Sequence, residues 1–66
     1  MDYTLAGFTF HFDLNDQGRV ISITTPDISV GPVMVLPSTV LNFDPALTVE
    51  GAQAVVYGIL SVLGLA

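Results

Sequence analysis

His11, Asp13 and Ser22 are the residues of this chain whose types could combine in a Ser-His-Asp grouping. That chemistry needs a hydroxyl within hydrogen-bond reach of an imidazole, a carboxylate that orients the imidazole, a pocket and oxyanion donors. The alternation around these residues puts all three on one face of a strand pair. A flat two-stranded face supplies neither pocket nor oxyanion donors, so the expectation is a solvated polar face and no enzyme. His11 still offers a titration in the range of about pH 6–7 at an interface.

Asp13-Leu14-Asn15-Asp16-Gln17-Gly18 superficially follows a calcium loop, with side-chain oxygens at alternate positions and then glycine. The position that should hold a bidentate glutamate is Thr24, and the flanks read as strands, whereas a calcium hand needs helices. Ordinary turn chemistry accounts for the same residues. No cysteine is present and only one histidine, which excludes thiolate and multi-histidine zinc sites. No metal and no cofactor is expected. Gly7 and Gly31-Pro32 are backbone punctuation, since no glycine-rich run precedes a helix with a lysine.

The charge balance excludes further classes. Six residues are acidic, Arg19 is the sole cation, and the net charge is -5. Nucleic-acid binding runs on phosphate neutralisation, which one arginine cannot supply. The stripe Phe8, Phe10, Phe12 is therefore expected to be a core face and not a base-stacking platform. The acids are scattered, and their plain role is to keep an apolar chain soluble. Residues 1–4, Met-Asp-Tyr-Thr, have no basic region and no apolar run, so no signal peptide is expected, and the expected location is virion or cytoplasm.

The elements that must position these groups read as an α+β fold: a small antiparallel sheet, built from an N-terminal hairpin plus one or two short strands, with a C-terminal helix. The chain is expected to be a single domain, 1–66, with strands within 3–43 and the helix over about 48–65. Phe8 to Leu14 alternates apolar and polar, the mark of a strand with one buried face. Tyr3 and Leu5 lie on the opposite parity, which predicts a bulge at Ala6-Gly7. After the turn at Asn15–Gly18, Val20 to Thr25 resumes β-branched residues. Setting apolar against apolar pairs Phe12 with Ile21, Phe10 with Ile23, His11 with Ser22 and Thr9 with Thr24. That register requires a loop of two or four residues and rejects three. Ile28, Val30, Met34 and Leu36 suggest a third strand interrupted at Gly31-Pro32, at an edge or a kink. Thr39 to Phe43 suggests a short fourth.

Asp44-Pro45 suits a helix entrance, and Thr48 is a second candidate cap with Glu50 in the first turn. From Val49 onward the polar residues Glu50, Gln53, Tyr57 and Ser61 form one narrow stripe, and residues 51–66 carry no charged side chain. Gly51, Ala54, Gly58 and Ser61 form a small-residue stripe beside it. A helix on one small sheet buries one face, and this one has too little polar surface for that. The interface is therefore expected at Gly51, Ala54, Val55, Gly58, Ile59, Val62 and Leu63.

A chain of 66 residues buries only about 60% of its unfolded surface and usually needs disulfides, a metal or a partner. Disulfides, thiolate metal sites and a multi-histidine zinc site being excluded, other protein subunits are the expected support, in a homo-oligomer or a larger assembly. A membrane is disfavoured: a helix of about 15 residues spans about 22 Å, short of a bilayer core of about 30 Å. The expected function is a non-enzymatic structural subunit. Short, cysteine-free, acidic chains rich in Val, Thr, Gly and Pro are common among bacteriophage virion parts, which narrows it to a capsid decoration or head or tail accessory protein. The alternatives are a small acidic inhibitor or binding module on another protein, and a small membrane-associated protein.

Overall fold

The phenylalanine alternation organises the structure. In the computed structural model, which describes all 66 residues, Phe8–Leu14 forms the strand β2, between β1 (Asp2–Leu5) and β3 (Val20–Thr24). A fourth strand, numbered β6 (Val40–Leu47), completes an antiparallel sheet in the order β1-β2-β3-β6. Between β3 and β6 the chain makes a separate two-stranded sheet, β4 (Ile28–Val30) and β5 (Val33–Leu36). The helix α1 (Val49–Val62) follows β6 and packs against β1, β3 and β6. This is a small α+β fold. The molecule measures 40 × 18 × 17 Å, long for its mass.

Phe10 and Phe12 turn inward, and with Val20, Ile23 and Ile28 they meet Ala52, Val56 and Leu60 of the helix. The three helix residues recur every fourth position, so one stripe covers the sheet. Tyr3 and Leu5 flank this core, and the Tyr3 and Phe12 rings lie 5.9 Å apart across the strand pair.

The N-terminal parity change has a different origin from the bulge expected at Ala6-Gly7. Both residues have positive φ, 55° and 83°, and Leu5 pairs with Phe8. They are the two central residues of a type I′ hairpin, whose twist suits the flanking strands. Tyr3 therefore pairs with Phe10 and Asp2 with His11.

The β2–β3 hairpin also corrects its expected register. His11 pairs with Thr24, Phe12 with Ile23, Asp13 with Ser22 and Leu14 with Val20. The loop is of the rejected three-residue kind. Asn15 and Arg19 close it (Asn15 N–H to Arg19 O, 2.9 Å), Gly18 N–H donates to Asn15 O, and Gly18 takes φ 75°. Ile21 is the extra residue that restores parity: the ladder passes from Ser22 to Val20 against Asp13 to Leu14. Val20 is consequently buried and Ile21 exposed, the reverse of the expected pairing of Ile21 with Phe12.

Further on, Gly31-Pro32 is a turn, with Gly31 at φ 58°, and the expected interrupted strand is the β4–β5 hairpin. The fourth strand is longer than Thr39–Phe43. It runs through Asp44-Pro45, joined by a cis peptide bond, to Leu47. Asp44 does not cap the helix. Thr48 does, its hydroxyl accepting from Gly51 N–H at 3.0 Å. The helix ends at Val62, short of the expected Leu65. Gly64 (φ 76°) donates to Ser61 O, and Leu65 N–H donates to Leu60 O. That is a Schellman cap, and it returns Leu65 to the core beside Leu60. No helix is long and apolar enough to cross a membrane.

Candidate functional site

Two surfaces stand out, one apolar and one ionisable. The apolar one is the β4–β5 arm. At its root Ile28 is buried and Leu36 packs against the same core. They pair across the hairpin, and beyond a bulge at Val35, the extra residue between Ile28–Leu36 and Ser29–Met34, Val30 pairs with Val33 at the tip. There the covering layer stops. Val30, Val33, Met34 and Val35 are 49, 58, 52 and 39% exposed. Residues 28–36 include no charge, and the only side-chain hydrogen bond among them joins the Ser29 hydroxyl to Met34 Sδ at 3.6 Å.

The root of the arm is tied firmly. Thr25, almost fully buried, donates its N–H to Thr39 O (2.8 Å) and accepts the Thr39 N–H on its hydroxyl (2.9 Å). Its carbonyl accepts the Ser38 hydroxyl (2.7 Å), and Asp27 accepts the Ser38 N–H (2.7 Å). The arm thus has a hydrogen-bonded root and an exposed apolar tip.

The expected helical interface divides. Val55 and Leu63 pack against the chain's own core, while Ile59 and Gly51 are half-buried. Ala54, Gly58 and Val62 lie on the outer face with Tyr57 and Ser61, all exposed. Nothing lies within 4 Å of a Cβ built on Gly58, so this glycine does not make room for the sheet. A Cβ on Gly51 would come 3.1 Å from the Thr48 hydroxyl, so that position is tied to the cap. Within this chain the helix buries one face, not two.

The ionisable surface lies on the solvent face of the main sheet. His11 Nδ1 is 2.8 Å from Asp2 Oδ1, and His11 Nε2 is 3.1 Å from Asp13 Oδ1. The second oxygen of Asp13 accepts the Ser22 hydroxyl at 2.8 Å. His11, Asp13 and Ser22 are therefore together, as their shared face requires. The order is Ser22–Asp13–His11–Asp2, however, and Ser22 donates to the carboxylate. No base addresses the hydroxyl, which a nucleophile requires. The hydrogen bond to Asp2 raises the His11 pKa above its ordinary value, with Asp13 adding to it. The Ser22 hydrogen bond, with help from His11, lowers that of Asp13. Sequence reasoning misses Asp2, because it joins the row only through the Ala6-Gly7 hairpin.

The turn at Asn15–Gly18 is self-satisfied. Asn15 Oδ1 accepts both Gln17 N–H and Arg19 N–H at 3.0 Å, holding the loop as an Asx turn. The one surface depression lies here, lined by Asn15, Asp16 and Gln17 with no apolar wall.

Comparison with family models, with curated proteins and with solved structures gives no match.

Proposed function

We propose that this chain is a non-enzymatic structural subunit that docks on other protein subunits through the β4–β5 arm. The observation that carries the reading is the run of Val30, Val33, Met34 and Val35, exposed on a hairpin that leaves the core at Ile28 and Leu36. Two strands alone are marginal in water. An exposed apolar ribbon with open edges gains most when a partner covers its face or extends its ladder. The charge-free arm on a chain of net charge -5 suits an uncharged protein groove. The outer helix face, with Ala54, Gly58 and Val62, is a second flat surface for a neighbour in the same assembly.

The assembly we put forward is a bacteriophage particle, with the chain as a capsid decoration or a head or tail accessory protein. That narrower reading rests on composition. As an acidic occupant of a basic site the chain is less well suited: Asp2 and Asp13 are engaged with His11, Asp27 holds the arm root, and Asp16, Asp44 and Glu50 lie on separate elements. The test is the native mass of the tagged protein expressed alone and then recovered from its source. A mass well above the 7.0 kDa chain in the recovered complex, lost when Val33 and Met34 become Ser, supports the reading. Recovery as a monomer from either preparation overturns it.

A further inference from the structure

We propose that His11 is a proton-dependent latch that fastens the edge strand β1 to β2, holding it when the imidazole is protonated and loosening it when the proton leaves. The geometry makes the case. Each ring nitrogen faces a carboxylate oxygen, Asp2 from β1 on one side and Asp13 from β2 on the other, at 2.8 and 3.1 Å. A neutral imidazole has one N–H and one lone pair, so it satisfies one of these carboxylates and turns a lone pair toward the other. Only the imidazolium donates to both. Asp13 cannot swing away freely, because its other oxygen holds the Ser22 hydroxyl of β3. Asp2 is the free partner, so deprotonation releases the tie between β1 and β2.

The charged groups acting on His11 are Asp2 and the Met1 ammonium on the β1 side and Asp13 on β2. The strand on its other flank, β3, offers only the neutral Ser22 and Thr24 in register. The hydrogen bond to Asp2, with Asp13 adding to it, outweighs desolvation and the ammonium, and the His11 pKa is raised. A group whose pKa is higher folded than unfolded gives its full stabilisation below the unfolded value, about 6.5 for histidine, and loses it as pH climbs through the folded value. Asp13, with a lowered pKa, runs the other way and gives up its part as pH falls through that value. The latch is therefore complete between about pH 4 and 6.5 and opens on the alkaline side. His11, Asp2 and Asp13 are each at least half exposed, so added salt weakens the effect.

Other ties persist when the latch opens. Phe12 N–H donates to Met1 O at 2.7 Å, the Thr4 and Thr9 hydroxyls are hydrogen-bonded, and Tyr3 and Leu5 stay against the core. The expected change is fraying of the Asp2 end, not loss of the strand.

The experiment is an NMR titration of the full chain from about pH 4.5 to 8.5, following the His11 ring signals and the amide protection of β1 after correction for intrinsic exchange. The wild type should titrate above the ordinary histidine value, with protection at Tyr3 and at Phe12, whose N–H donates to Met1 O, falling through the same midpoint. Asp2→Asn should lower the midpoint and remove the pH dependence of β1, and His11→Gln should remove it without a midpoint. A His11 midpoint at or below the ordinary value, or one unmoved by Asp2→Asn, overturns the latch. So does constant β1 protection across the titration.

Discussion

Thr25 and Thr39 clasp each other across the root of the arm, one bond running from Thr25 N–H to the Thr39 carbonyl and one from Thr39 N–H to the Thr25 hydroxyl, at 2.8 and 2.9 Å. The clasp lies where β3 gives way to β4 and where β5 returns to β6, so it fixes how the arm leaves the body. Thr25→Val keeps the shape but leaves the Thr39 N–H without its acceptor. The expected cost is about 1–3 kcal/mol, measured by urea unfolding, together with faster amide exchange in residues 28–36.

Val20 and Ile21 test the corrected hairpin. Val20→Ala should cost about 2 kcal/mol, from two buried methyl groups and the cavity they leave. Ile21→Ala, on the exposed extra residue, should change stability by less than about 0.5 kcal/mol. Thermal or urea unfolding of both variants decides this. Equal losses would restore the register in which Ile21 opposes Phe12.

Much of this arrangement can be read from residue order, and the failures have physical causes. The alternation at Phe8, Phe10 and Phe12 names the buried face of β2 correctly, and it places His11, Asp13 and Ser22 on one side. The Thr48 cap follows from its hydroxyl and the acidic Glu50 in the first turn. The parity rule fails at Val20 because it assumes an unbroken ladder, and one bulged residue changes an odd loop into an allowed one. Ala6-Gly7 misleads because alanine rarely takes positive φ, so the I′ turn lacks its usual Asn or Asp signal. Asp44-Pro45 carries the same signature as a capped helix start, and only pairing with β3 distinguishes the strand. The arm is hidden because Gly31-Pro32 reads equally as a kink or a turn, and local sequence does not say whether two short apolar runs pair with each other or with a larger sheet.

Gly58 separates what the chain needs for folding from what it needs for assembly. Its side-chain position is open in the isolated protein, so Gly58→Ala should stabilise the monomer by up to about 1 kcal/mol through helix propensity. Gly64→Ala, at φ 76°, should destabilise by about 1 kcal/mol or more. If the Ala54–Gly58–Val62 face meets a neighbour, Gly58→Leu should keep the fold and lose incorporation into the assembly. Normal incorporation of Gly58→Leu would mean that this helix face looks into water and that the arm carries docking alone.

The central claim is that the bare arm drives association, and sedimentation velocity of the isolated chain tests it most directly. The comparison sets wild type against the triple variant Val30→Thr, Val33→Thr, Met34→Gln, at about tens of micromolar, where mass action exposes weak association. The account predicts that the wild type sediments as species heavier than the 7.0 kDa chain, and that the variant is a monomer with the same melting temperature. A wild type that is a stable, cooperatively folding monomer, indistinguishable from the variant, would contradict it.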